Sequence, residues 1–303
     1  MKQTFYSNGK LLITGEYVVL DGAKALALPT KYGQNLIVET NDSSIIEWKS
    51  FDSDGSIWFE SGFNLEDILQ KREFEDNKIK TTLIEILYHA LLLNPNSLKT
   101  NTGYKISTEL TFPKFWGLGT SSTLINNIAQ WLQIDAFTLL KNSFGGSGYD
   151  IACAQNNSAI IYQLENNIPI ITPIDFKPDF SEKIFFIYLN QKQNSRTAIA
   201  NYYNKQANIQ AVIPTIDLIT EKVITAKEPK AFALALKEHE IEMSNVLESQ
   251  TIQEALFSDF DGIIKSLGAW GGDFVLAISK ENPTTYFKEK GYNTIVPYKD
   301  MIL

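Results

Sequence analysis

Along residues 1–60 apolar and polar positions alternate in short bursts. Residues 11–14, 25–28, 36–39, 45–48 and 57–60 are brief apolar or alternating runs, separated by Gly, Asn and Asp. Such runs between turn formers predict strands. The period then changes. Ile79, Leu83, Ile86 or Leu87, and Ala90 fall on one stripe, predicting a helix over 79–93. Residues 104–111 alternate again. Leu124, Ile128 and Trp131 or Leu132 then mark the inner face of a helix ending near Leu132. Residues 159–162 and 168–172 read as paired strands, and 184–189 as a buried strand.

From about Ser195 helical spacing takes over. Segments 195–205, 209–225 and 230–247 are predicted helical, and a fourth helix is expected over 251–267. A strand at 274–278, a helix around Tyr286 and a strand near Ile295 complete the pattern. Strands come first, helices later, and the pairing is mixed, which predicts an α+β fold rather than a doubly wound sheet. The 303 residues suit one large domain or two halves packed together. The text holds no internal repeat and no Pro/Gly-rich linker, so a soft boundary is expected over 173–180.

Charge narrows the partners. The formal net charge is −8, which argues against nucleic acid, because phosphate neutralisation needs a basic face. A nucleotide substrate is still allowed, since a few local donors hold one phosphate chain. Cys153 is the single cysteine, so no intramolecular disulfide is possible, as suits a reducing compartment. No signal peptide and no membrane span are expected, and the location implied is the cytoplasm.

Candidate chemistry gathers at glycine-rich stations. The first is Gly9-Lys10-Leu11-Leu12-Ile13-Thr14-Gly15-Glu16-Tyr17: a lysine, a strand, then a Gly-Glu turn. A plain strand with a charged neighbour fits it about equally well. The second is Gly117-Leu118-Gly119-Thr120-Ser121-Ser122, opening a helix. Glycines let backbone approach a ligand. A helix start offers unpaired amides and a positive dipole end to an anion. Hydroxyls there donate to phosphate or ligate Mg²⁺. A cap would need only one of them. The absence of a following Lys and of a third Gly separates this loop from the P-loop and the Rossmann fingerprint. The third, Gly145-Gly146-Ser147-Gly148-Tyr149-Asp150-Ile151-Ala152, surrounds one aspartate with glycines. That suits a base which substrate must reach, or an N-cap. The fourth, Gly268-Ala269-Trp270-Gly271-Gly272-Asp273, reads by itself as a tight turn entering a strand.

Taken in order, the four stations resemble those of the GHMP kinases, over most of the chain. The opening segment is similar to the mevalonate and phosphomevalonate kinase branch. Gly148-Tyr149-Asp150-Ile151-Ala152 matches a subgroup labelled by that string. The resemblance implies an N-terminal domain like domain 2 of ribosomal protein S5 over 1–175 and a ferredoxin-like α+β domain over 176–303. It also implies roles. The loop Gly117, Leu118, Gly119, Thr120, Ser121 and Ser122 would wrap the phosphates of ATP, with Ser121 on Mg²⁺. Asp150 would accept or orient the acceptor's proton, and Lys10 would keep it ionised. Glu16, Gly271, Gly272 and Asp273 would line the acceptor site. Lys192, Ser195 and Arg196, in a loop comparable to one that contacts the acceptor in phosphomevalonate kinases, would suit a phosphorylated acceptor. A solvated loop with a helix cap describes that segment as well. The function implied is ATP-dependent phosphoryl transfer to a small acidic metabolite, mevalonate or phosphomevalonate, by a monomer or homodimer. A catalytically degenerate relative that binds nucleotide or metabolite as a regulator is the alternative.

The sequence departs from the family pattern in five places. Asn8 stands where Pro is usual, Thr120 for Ser, Ser122 for Ala, and Trp270 for a third glycine. The Ser122 hydroxyl must find a partner at the helix start. No acid occurs over 136–149, where mevalonate kinases place a second Mg²⁺ ligand, so the ion would rest on Ser121, phosphates and water, with Asp135 a distant substitute. His89 and His239 are expected on helix surfaces. Trp48, Trp58, Trp116 and Trp131 are expected in the core or lining a groove.

Overall fold

The computed structural model describes residues 2–99, 102–192, 195–204 and 208–303, without the side chains of Ser195 and Arg196. The chain forms two compact units, each drawn from separated stretches. One comprises Met1–Gly9, Tyr32–Lys114 and Leu118–Gln155, and the other Lys10–Lys31, Phe115–Gly117 and Asn156–Leu303.

In the first unit, Ile45–Phe51 pairs antiparallel with Ile57–Asn64 and parallel with Gly103–Leu110. Gly103–Leu110 pairs antiparallel with the later half of the Ala25–Asn41 strand, from Gln34 onward. Alternation sends Leu36, Val38, Ile46, Trp48 and Ile106 into one core. The stripe Leu83, Ile86, Leu87 and Ala90 of helix Lys78–Leu93 packs on that core, as do Ile125, Ile128 and Trp131 of helix Thr120–Leu132. The predicted stripes hold except at their first positions: Ile79, in the first turn of its helix, is exposed, and Leu124 is half-buried while Ile125 enters the core.

The second unit holds a four-stranded antiparallel sheet in the order Ile295–Pro297, Ile184–Tyr188, Phe274–Ser279, Gly262–Ser266. Every residue of Phe274–Ser279 is buried, which accounts for its continuous apolar text. Helices Ser195–Tyr203, Ile209–Thr225 and Pro229–Leu247 lie within a residue or two of expectation. Ile160–Glu165 and Ile168–Pro173 pair as read from the sequence. Strands and helices in this mixture make an α+β protein.

Four local expectations are corrected. The runs at 25–28 and 36–39 are one strand, Ala25–Asn41. Gly33, taken as a turn signal, is there for space: a Cβ would stand 2.2 Å from the Ser7 carbonyl oxygen. The first strand is Lys2–Leu12, beginning well before residue 11. The helix expected over 251–267 stops at Leu256, after a capping box between Thr251 and Glu254. Gly262–Ser266 is a strand, because its β-branched pair Ile263 and Ile264 finds a partner in Phe274–Ser279. Helix Ala136–Ser143 was not foreseen, and Asp135 caps it by accepting the Thr138 amide at 2.6 Å. The Asp135 carboxylate is thus committed to a helix start.

Candidate active site

The phosphate-loop candidate begins with two left-handed glycines, Gly117 at φ 68° and Gly119 at φ 99°. Gly119 is the N-cap of helix Thr120–Leu132, and no side chain caps that helix. The two sequence readings of the hydroxyl triplet now separate. Thr120, Ser121 and Ser122 follow the cap position, so none of them serves as the N-cap, and the first-turn amides lack the usual side-chain acceptor. The three hydroxyls differ in fate. Ser122 is buried and donates to the Gly119 carbonyl at 3.0 Å, the partner its extra oxygen required. Ser121 is exposed. The Thr120 Oγ1 is buried without a hydrogen-bond partner. A bare-capped helix start, an exposed hydroxyl and an orphaned one fit a phosphate chain. Thr123 braces the loop from behind, its hydroxyl donating to Gly119 O at 2.9 Å and to Gln34 Oε1 at 2.8 Å.

Asp150 lies in the same unit, in the first turn of helix Tyr149–Gln155. Its Oδ1 accepts the Ile151 amide at 3.0 Å, and it is half-buried. Gly145, Gly146 and Gly148 approach it with φ of 72°, 100° and 92°. A Cβ on Gly145 or Gly146 would meet open space, so those glycines serve backbone conformation rather than close packing. Gln155 donates to Asn126 Oδ1 at 2.9 Å, tying the aspartate's helix to the loop's helix. Among the described residues no group of three His, Cys, Asp or Glu side chains could hold a metal ion. The exposed Ser121 hydroxyl is an oxygen donor of the kind Mg²⁺ accepts, an ion that keeps several waters and few protein ligands.

The second unit brings three of the glycine stations to one corner. Lys10 Nζ donates to the Gly117 carbonyl at 3.1 Å. The Asp273 carboxylate presses on the same glycine: a Cβ there would lie 2.0 Å from Oδ2. Asp273 is held at φ 39° by its own backbone, its amide donating to Gln191 O at 3.2 Å and its carbonyl accepting the Leu189 amide at 2.8 Å. Gln191 Nε2 donates to Gly271 O at 2.6 Å, closing the turn. Tyr188 Oη donates to Phe115 O at 3.1 Å, and burial, with the nearby Asp273 charge, raises its phenol pKa. Trp116 packs edge-on against Phe274 and is half-buried.

Glu16 is not exposed beside this corner. Its carboxylate is 3% exposed and bonds Lys265 Nζ at 2.6 Å. Lys265, fully buried, also stands 3.7 Å from Glu240, and Glu240 accepts from the Ser266 amide and hydroxyl at 3.1 and 2.8 Å. Burial pushes Glu16 up to about 7, against the pull of Lys265. His239 is fully buried, contrary to its expected surface place, and its Nε2 accepts the Gly15 amide at 2.8 Å. Burial, then the Lys265 charge, holds its pKa well below the usual value. This network was missed in the sequence, although a signal existed. His239 and Glu240 continue the buried stripe Phe232, Leu236, Met243 and Val246 at helical spacing.

Of the remaining candidates, Gly271 is half-buried at φ 76°, Gly272 is buried, and Lys192 is exposed. Ser195 begins helix Ser195–Tyr203, but its side chain and that of Arg196 lie outside the described residues.

No family model matches the sequence, and no curated protein matches it. Solved structures do. Mevalonate kinase of Methanococcus jannaschii is similar at TM-score 0.72 and 16% identity, over 97% of each chain. Phosphomevalonate kinase of Streptococcus pneumoniae, in complex with phosphomevalonate and AMPPNP, is similar at 0.65 and 16%, over 99% of this chain and 98% of that one. A D-glycero-D-manno-heptose 1-phosphate kinase from Bacteriodes thetaiotaomicron is similar at 0.67 and 15%, over 100% and 96%. The chain has the GHMP kinase fold. Among the described residues no helix is long and apolar enough to cross a membrane.

Proposed function

We propose that this protein is an ATP-dependent kinase of a small acidic metabolite, with mevalonate or phosphomevalonate as the acceptor. The observation that carries the reading is the start of helix Thr120–Leu132. It is capped by a glycine and by no side chain, and it carries a buried, unpartnered Thr120 hydroxyl. An anion supplies what that helix start lacks. The fold likeness to several small-molecule kinases supports the same reading, and the mevalonate-branch text around Lys10 and Asp150 favours the acceptor.

The first-turn amides and Thr120 hold the phosphates of ATP. Phosphoryl transfer asks for positioning and charge neutralisation rather than covalent help. Mg²⁺, when bound, neutralises charge between the phosphates, and Ser121 is the residue that would hold it. Lys10 fixes the loop by its bond to Gly117 O and adds positive charge at the same corner. Asp150 accepts the proton of the acceptor hydroxyl, or orients that hydroxyl for in-line attack. Glu16 acts on the acceptor side through the turn it anchors. Asp273, Gly271, Gly272, Lys192, Ser195 and Arg196 are the acceptor-side candidates.

The test is ADP release with a panel of mevalonate, phosphomevalonate, homoserine and galactose. Turnover of one of the first two is the expected result. The Trp270 side chain, standing where the family text has glycine, favours a second reading: a relative that binds nucleotide or metabolite without turnover. ATP binding with no turnover on any member of the panel would replace the first reading by the second.

A further inference from the structure

Tyr17 sits in a backbone state that side chains avoid. Its φ is 62° and its ψ −54°, and the Val18 amide donates to Glu16 O at 2.8 Å across it. This is a γ-turn of the rarer, positive-φ kind, which is strained for any residue with a Cβ. Such a state persists only where its surroundings over-determine it, and they do. On one side Glu16 is bonded to buried Lys265, and the Gly15 amide to buried His239. On the other the Tyr17 ring stacks on Tyr202 at 5.5 Å, and Tyr202 Oη donates to Asp21 at 2.5 Å.

The strain aims one atom. Tyr17 Oη accepts the backbone amide of Trp270 at 2.7 Å. The Trp270 indole donates to Gln250 O at 3.1 Å and packs on the cluster of Tyr17, Tyr202 and Met243. Trp270 therefore has both its amide and its ring fastened. It opens the turn whose far end sets Asp273 against Gly117.

We propose that Tyr17 is a positioning residue for the acceptor-side turn: its strained γ-turn holds the phenol oxygen where it fixes the Trp270 amide, and through it the 270–273 backbone. The inference rests on the kinase reading, and it assigns to Tyr17 no contact with substrate. It also gives Trp270 a part as the anchored member of a tyrosine–tryptophan clamp, in place of the flexibility a glycine would bring.

Two measurements on Tyr17→Phe test this, each against the wild-type protein. The first is amide hydrogen exchange over residues 268–274. Loss of the phenol oxygen leaves a part-buried amide without its acceptor, and exchange there should rise about tenfold while the rest of the chain keeps its protection. Unchanged exchange overturns the proposal. The second, run with whichever panel acceptor turns over, is the kinetic split. KM for the acceptor should rise about tenfold, with kcat and the KM for ATP within about twofold, because the turn and not the phosphate loop is loosened. A fall in kcat with the acceptor KM unchanged would mean a general structural role and would also overturn it. If no acceptor turns over in the wild type, the kinase reading fails, and hydrogen exchange alone decides the role of Tyr17. Tyr17→Leu, which also loses the ring stacking, separates misfolding from positioning: its melting temperature should fall well below that of Tyr17→Phe.

Discussion

The carboxylate of Asp273 lies against Gly117 with no room for a methyl group between them: a Cβ on Gly117 would stand 2.0 Å from Oδ2 and 2.2 Å from Cγ. Gly117 also has a left-handed φ of 68°, which costs a residue with a side chain about 1 kcal/mol before any clash. Gly117→Ala should therefore push Asp273 aside and tilt the carbonyl that Lys10 holds. The expected loss in kcat/KM is about a hundredfold, the scale of a one-ångström misplacement. Steady-state kinetics with the active panel acceptor measure it. Full activity would mean that the close approach is incidental.

The three hydroxyls of the loop should behave differently. Ser122→Ala removes a bond to Gly119 O and should cost about 1 kcal/mol of stability, with nucleotide affinity unchanged. Ser121→Ala should leave stability alone and weaken ATP binding in the presence of Mg²⁺ more than in its absence. Calorimetric titration of ATP with and without the ion, beside thermal melts, gives both comparisons. Equal behaviour of the two variants would count against the assignment of Ser121.

Asp150→Asn should lower turnover by about a thousandfold, the range of a positioned general base, and leave ATP affinity intact. A variant that keeps its activity would remove Asp150 from the chemistry.

The buried cluster predicts a pH signature. Glu16 is raised from the usual 4.5 to about 7, chiefly by burial. A raised acid stabilises the fold fully below its unfolded pKa, and that contribution is lost as pH rises to the folded value. His239 works in the opposite sense. Its folded pKa is depressed, so its contribution is present above about pH 6.5 and is lost as pH falls. Glu16→Gln removes the first and keeps the second. Relative to that variant, the wild-type melting temperature should decline between about pH 4.5 and 7. A difference that stays flat across the range would mean Glu16 is ionised throughout.

Lys265→Met should be among the most damaging changes in the chain. It leaves Glu16 and Glu240 facing one another without a counter-charge in the interior, a loss of about 3–5 kcal/mol. Urea denaturation of the variant measures it.

How much of this the sequence disclosed depends on the kind of signal. Helix Thr120–Leu132 was readable in outline, because two glycines and a hydroxyl triplet mark its start and an apolar stripe carries it to about Leu132. The α+β class followed from the change of period near residue 195. Two kinds of feature were hidden. Gly33 looked like a turn because a glycine that makes room for a neighbouring strand and one that bends the chain are the same letter. Lys265 falls in the segment expected as helix over 251–267, and only the pairing of Gly262–Ser266 with Phe274–Ser279 carries it inside, where lysine is seldom found. The corner of Lys10, Gly117 and Asp273 lay in between. Each residue stood in a station that invited a role, but no spacing along the chain says that a lysine, a glycine carbonyl and a carboxylate meet.

Lys10, Gly117 and Asp273 belong to one unit but come from three stretches of chain, and residues of the other unit lie along the sequence between the first and second and again between the second and third. On the ribosome the lysine emerges early and the aspartate late. Everything between them is synthesised before the corner can close, so its contacts are all of long sequence range and cannot be prepaid by local folding. A chain cut anywhere between Ser122 and Asp273 carries the lysine and the loop as text without the geometry. Proteolytic fragments and stalled nascent chains therefore display these motifs in a form that no pair of them can correct, and the corner is among the last things the polypeptide acquires.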